Sequence, residues 1–272
     1  MNKIVKFSLT LLAAGVISAC GSSGGGDNNS SPSATNNTPN TSSPSTNQKP
    51  NNNTSNQNNS GNNSANKPAT PPPNKVNSSD DMGTAFRTKD SKEFDIKKAD
   101  THREILEVDG KKLPVAFPGI YSGSFTNLKA ATINGISYKG FTVSGSRYSN
   151  VRFGHVDGYV FAQGNVTPES SIPKSGVATY NVDAVFVQNG QASISENHKL
   201  NIDFANKTVN GDVAPNVKVT NAKIDGNEFD GKAVHNGKSA ELEGRFYGSN
   251  ASEIGGAYSS SSFSGAFGGK KQ

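Results

Sequence analysis

Four histidines and a single cysteine carry the most distinctive chemistry in this 272-residue chain. The histidines, His102, His155, His198 and His235, stand too far apart for a sequence-local zinc motif, so no metal site is assigned. Haem needs only one or two axial nitrogens and an apolar slot. His155 lies in Phe153-Gly154-His155-Val156-Asp157-Gly158-Tyr159, read as a turn flanked by aromatic rings. It is the candidate axial ligand if haem binds, although an exposed turn histidine is the commoner fate of such a residue. No Gly-x-Ser-x-Gly, His-Glu-x-x-His or phosphate-binding loop is present. Glu241 and Glu243 alternate along one strand face, the pattern of solvated carboxylates. The chain therefore reads as non-enzymatic and without a resident cofactor.

Cys20 has a different context. Lys3 and Lys6 precede a short apolar stretch, Phe7 to Ile17, and Ile17-Ser18-Ala19-Cys20 closes it. That layout is a secretory leader ending in a lipobox-like run. The thiol accepts diacylglycerol, and cleavage then makes Cys20 the new N-terminus. At ~0.8 kcal/mol per buried CH₂, two or three acyl chains make a durable anchor. Gly21 follows where an Asp would signal retention at an inner membrane, so by resemblance to Gram-negative lipoproteins the expected address is the outer membrane. Membrane contact is expected through lipid alone, because no apolar run beyond the leader reaches the ~20 residues of a spanning helix.

The segment 21–79 holds 17 asparagines among many serines, threonines and prolines, with Ala34, Ala65, Ala69 and Val76 as its apolar side chains. It cannot bury enough surface to offset its ordering entropy, and is expected to be a disordered tether. The formal charge of +5 divides as +2 in residues 1–20, +2 in 21–79 and +1 in 80–272. With no basic face on the folded part, nucleic acid is not an expected partner.

From Asp80 the pattern turns period-two. Leu200, Ile202 and Phe204 alternate toward one side, then Val209, Gly211 and Val213, then Val217 and Val219 leading to Ala222 and Ile224. Phe229, Gly231 and Ala233 follow, an Asn236-Gly237 hairpin signal comes next, and Ala240, Leu242, Gly244 and Phe246 lie beyond it. Tyr258 and Phe263 flank a serine-rich turn. About eight strands fit between Ser175 and Phe267, which suits a closed antiparallel barrel. Alternate glycines would weaken a flat sheet but fit a narrow barrel interior. Upstream, Asp109-Gly110, Asn134-Gly135 and Asp157-Gly158 mark turns, Pro114 and Pro118 bracket a segment unsuited to a central strand, and the charged stretch Lys89–Glu107 has room for a helical turn. The expectation is an all-β protein: leader 1–20, tether 21–79, a smaller β-rich handle 80–174 and an eight-stranded barrel 175–272.

Gly244-Arg245-Phe246-Tyr247-Gly248, Ala251-Ser252-Glu253-Ile254-Gly255-Gly256 and Gly265-Ala266-Phe267-Gly268 resemble the closing strands of the transferrin-binding-protein-B-like barrel. Phe229-Asp230-Gly231-Lys232-Ala233 and Asp203-Phe204-Ala205-Asn206-Lys207 are similar to that barrel too. Val151-Arg152-Phe153-Gly154, Phe161-Ala162-Gln163-Gly164 and Ile172-Pro173-Lys174-Ser175-Gly176 resemble the smaller Slam-dependent surface lipoproteins, whose relatives include factor H binding protein and the haemophilins. The resemblance covers 140–272 closely and 80–140 loosely, and the chain has room for one lobe where transferrin-binding protein B has two. It implies export by a Slam-type outer-membrane translocon, an anchored position facing the cell exterior, and capture of a host plasma protein, foremost a complement regulator, for immune evasion or colonisation. Binding of haem or an iron or haem carrier, for iron acquisition, is the alternative. The candidate partner contacts are Phe117, Ile120 and Tyr121 around a Pro-Gly turn, and Arg147, Tyr148 and Arg152, of types enriched at binding hot spots. Core packing is the competing fate for most of them, and Glu253 is expected to be structural, accepting amides of the turn near Gly255.

Overall fold

Alternation of apolar and polar side chains converts residues 177–271 into eight consecutive antiparallel strands. They are β11 (Val177–Gln188), β12 (Gln191–Asp203), β13 (Thr208–Ala214), β14 (Val217–Asp225), β15 (Glu228–His235), β16 (Lys238–Tyr247), β17 (Glu253–Ser259) and β18 (Ser264–Lys271). β18 pairs back onto β11, from Tyr180 opposite Lys271 to Val187 opposite Ser264, and the barrel closes. This is a computed structural model, describing residues 81–97, 104–116 and 123–272. The expected leader, Cys20 and tether lie outside the described residues, as do His102, Phe117, Ile120 and Tyr121.

The inward faces make one apolar core, with Tyr180, Val182, Leu200, Ile202, Phe229, Phe246, Ile254, Tyr258 and Phe267 all fully buried. Turn chemistry sets the register: Asn189-Gly190 and Asn236-Gly237 take positive φ at both positions, as two-residue hairpins require. In β14 the buried positions slip from Val217 and Val219 to Ala222 and Ile224. The ladder to β15 shifts register there, and Asn221 adopts a φ of 52°. Its amide donates to Asn210 Oδ1 at 2.8 Å, so that donor is met by a side chain where the ladder is interrupted.

Ahead of the barrel lies a six-stranded sheet in the order β2-β1-β10-β9-β8-β5. Its strands are β1 (Asp81–Arg87), β2 (Lys92–Lys97), β5 (Phe125–Leu128), β8 (Phe141–Ser144), β9 (Val151–Val156) and β10 (Tyr159–Gly164). Two hairpins, β3 (Ile105–Val108) with β4 (Lys111–Pro114) and β6 (Ala131–Ile133) with β7 (Ile136–Tyr138), cover one face. They bury Leu106, Val108, Leu113, Ile133 and Tyr138 against Ala85, Phe141, Val156 and Phe161. The stretch 89–107 contains no helical turn among its described residues: a turn at Thr88–Ser91 leads into β2, and Ile105 opens β3. The charged side chains of β2 face solvent at the sheet edge, where charge blunts unwanted pairing. The described residues fall within a single compact unit.

Candidate functional site

The second face of the handle sheet lies against the outside of the barrel. Phe86, Tyr148, Val151, Phe153, Val160 and Ala162 pack on Val185, Val187, Tyr247, Ala257 and Ala266, all buried. Two of the alternate glycines belong to this seam and not to the interior. A Cβ on Gly268 would sit 2.3 Å from Phe153 Cε1, and one on Gly255 would sit 2.7 Å from Val151 Cγ2. Gly256 and Gly244 do make room inside, for the rings of Phe267 and Phe229.

Buried carboxylates on the barrel wall hold the handle. Glu253 accepts the amides of Ser149 at 3.0 Å, Asn150 at 2.8 Å and Val151 at 3.0 Å. Its structural role is therefore real, but the amides come from the handle and not from the turn beside Gly255. Asp183 accepts the Tyr148 hydroxyl at 2.7 Å, Arg147 Nη1 at 2.9 Å and the Asn197 amide at 3.1 Å. Burial, then the hydrogen bond to Asp183, drives the Tyr148 phenol far above its ordinary value. Arg245, 1% exposed, ion-pairs with Glu228 and lies 3.4 Å from Glu243 and 3.7 Å from Asp81 at the start of β1. Glu241 is solvated as expected, whereas Glu243 is buried with Arg245 in the seam, because the handle covers its side of the strand.

The candidate partner residues on described positions thus take the following places. Tyr148 is buried in the seam; Arg147 is part-exposed, tied to Asp183 and 3.8 Å from Glu196. Arg152 is half-buried and donates to the Ser144 carbonyl. His155 is half-buried within β9, opposite Val160 and Thr142, not in a turn; the turn falls at Asp157-Gly158. Burial holds its pKa below the ordinary value, against the pull of Asp157.

The barrel end formed by the β11–β12, β13–β14, β15–β16 and β17–β18 turns carries a cluster that the sequence did not reveal. Half-buried Phe186 and His235 lie 5.0 Å apart between ring centroids, over buried Phe263 at 6.2 and 5.3 Å. The His235 ring is fixed by the Asn216 carbonyl at Nδ1, 3.1 Å, and by the Asn236 side-chain amide at Nε2, 3.1 Å. That pairing puts the ring proton on Nδ1. Beside it, an open cleft of about 420 Å³ is lined by His198, Asp212, Ala214, Pro215, Asn216 and Lys218. His198 Nε2 is 2.6 Å from Ser195 Oγ, and Asp212 pairs with Lys218 at 3.9 Å. What the mouth offers is half-exposed aromatic surface beside mixed charge, suited to recognition.

Residues 172–271 match the family model described as the C-lobe and N-lobe beta barrels of Tf-binding protein B. An uncharacterized protein of Haemophilus influenzae strain Rd is 32% identical over 226 residues, covering 72% of this chain and 78% of that one. The chain belongs to one family with that protein, and its barrel is of the transferrin-binding-protein-B type. Among solved structures, transferrin binding protein B from Haemophilus parasuis is similar at a TM-score of 0.54 and 24% identity, over 70% of this chain and 44% of that one. The chain therefore spans less than half the length of that protein. HpuA from Kingella denitrificans, crystallised with human haemoglobin, is similar at a TM-score of 0.51 and 17% identity, over 72% and 89%. These likenesses fix the fold of the TbpB-type barrel and its handle.

Proposed function

We propose that this chain is a lipid-anchored outer-membrane protein that displays its TbpB-type barrel outside the cell and captures a soluble host protein. The observation that carries the reading is the barrel mouth: half-buried Phe186 and His235 meet over Phe263, beside the open cleft lined by His198, Asp212 and Lys218. Aromatic anchors beside a polar rim are the usual composition of a protein-binding centre. The seam serves that role indirectly, because a handle pinned by Glu253, Asp183 and Arg245 gives the mouth a rigid base.

The fold relatives support the class of partner, since one is named for transferrin and another was crystallised with haemoglobin. The finer form of the proposal is a complement regulator, with an iron or haem carrier as its competitor, reached through Cys20, the tether and a Slam-type translocon. Immobilised chain, exposed to human serum, should retain one plasma protein, and Phe186→Ala should reduce that retention at least about tenfold, the loss of an aromatic hot spot. The chain should stay colourless with haem. A Soret band together with empty serum eluates would overturn the reading.

A further inference from the structure

The barrel is closed, yet one of its strands has an unpaired length. β12 pairs with β11 from Gln191 opposite Gln188 to Asp203 opposite Val177. On its other side β13 pairs only with Leu200–Asp203, the ladder ending at Leu200 opposite Gly211. Among the described residues no ladder partner runs along the outer edge of Gln191–Glu196, whereas β13 still approaches Lys199, whose carbonyl oxygen would lie 2.2 Å from a Cβ on Gly211. The phase of that edge follows from the turn. A two-residue hairpin at Asn189-Gly190 makes Gln188 and Gln191 a hydrogen-bonded pair, and alternation makes Phe186 with Ser193 and Ala184 with Ser195 bonded pairs too. Ala192 and Ile194 therefore turn their N–H and C=O groups outward.

We propose that this edge takes a short extended segment of the captured host protein as an added strand. Backbone groups supply the affinity in such pairing, and alternate side chains supply the selectivity. Ala192 and Ile194 share a face with Val187 and Val185, while Ser193 and Ser195 share the face of Phe186. The fitting segment alternates small apolar with hydroxyl side chains. Its length is limited, because Asn197 enters the left-handed region at a φ of 68° and the ladder shifts between Val182 and Ala184. That leaves about six residues, roughly 20 Å of strand. The cleft of His198, Asp212 and Asn216 lies at its foot and receives the segment's end.

A second copy of this chain is the poorer occupant. Pairing along about six residues falls well short of the ~1,200–2,000 Å² that a stable specific interface buries, so the strand must belong to a partner that also meets the barrel mouth. The partner's identity rests on the host-capture reading, but the edge itself is testable without any host protein.

The test titrates ¹⁵N-labelled full chain with the peptide acetyl-Thr-Val-Thr-Val-Thr-Val-Lys-amide, and separately with the same peptide N-methylated at alternate residues. The proposal expects shifts and slowed hydrogen exchange at the Ala192 and Ile194 amides with the first peptide only. Ala192→Pro, which removes one outward donor where an edge tolerates proline, should weaken binding about tenfold, ~1.4 kcal/mol. Equal effects from the N-methylated peptide, or no response at these amides, would overturn it. Protection that rises with protein concentration and no peptide would assign the edge to a second copy and overturn it as well. If the peptide binds while serum capture fails, the edge stands and the host-capture reading falls.

Discussion

Glu253 Oε2 lies 2.8 Å from the backbone nitrogen of Asn150, a hydrogen bond across 103 residues of sequence. It is one of three amide hydrogen bonds that this 3%-exposed carboxylate accepts, from Ser149 and Asn150 ahead of β9 and from Val151 at its start. A buried carboxylate is tolerable only when its lone pairs are met by donors, and here the donors are backbone amides, that of buried Val151 among them. Glu253→Ala strands all three. We expect a stability loss of about 2–4 kcal/mol and new protease cleavage near 145–150, read by urea denaturation and limited proteolysis. A variant as resistant as the parent would remove Glu253 from this role.

Tyr148 and Asp183 make the second tie. Tyr148→Phe keeps the packing against Phe153, whose ring centroid is 5.0 Å away, but leaves Asp183 one donor short. The expected cost is about 1–2 kcal/mol. Arg147→Ala, at a part-exposed position, should cost under about 1 kcal/mol. A double-mutant cycle between Tyr148→Phe and Asp183→Asn should give a coupling that Arg147 does not share.

Gly268→Val tests the approach of handle to barrel. The added methyls would meet the Phe153 ring, and overpacking at such a site costs ~1–3 kcal/mol. Gly123→Ala, with open space around its Cβ position, should change the thermal midpoint little. Equal midpoints for the two variants would show that the seam gives way freely.

Burial holds the imidazoles of His155 and His198 below their ordinary value of 6.5 in the folded chain. The unfolded chain then binds protons first as pH falls. Stability should be level above about pH 7 and decline as pH drops through ~6.5 toward the lower folded-state values. Urea midpoints across that window should show the decline, and His155→Gln should remove part of it. A midpoint that rises as pH falls would contradict the assignment.

Cys20 is the proposed lipid attachment point. Cys20→Ala should release the chain from the membrane fraction into the soluble one, tracked by fractionation and immunoblot. Retention of the variant in membranes would end the anchor proposal.

Much of the architecture is written locally. Asp109-Gly110, Asn134-Gly135, Asp157-Gly158 and Asn236-Gly237 are turns because their backbones take positive φ, which Gly, Asn and Asp accept at low cost. Period-two burial then names the inward faces, and even the slip in β14 is visible as two polar residues, Thr220 and Asn221, between Val219 and Ala222. The seam is less legible. Nothing near Gly268 announces Phe153, and nothing near Glu253 announces Asn150, since these partners meet only after two sheets stack. The aromatics and the Asp-Gly pair around His155 suggest a turn there, whereas β9 runs through it to Val156.

The sequence by itself determined the barrel's strands, their turns and their number, because hydrophobic alternation and backbone preference act over a few residues. Which outer glycines are crevices for handle side chains, why Glu243 is buried beside solvated Glu241, and which length of β12 stays unpaired were decided only by the tertiary structure. Those outcomes depend on which surface each face meets and how far each neighbour extends, and contacts between residues a hundred positions apart leave no local mark.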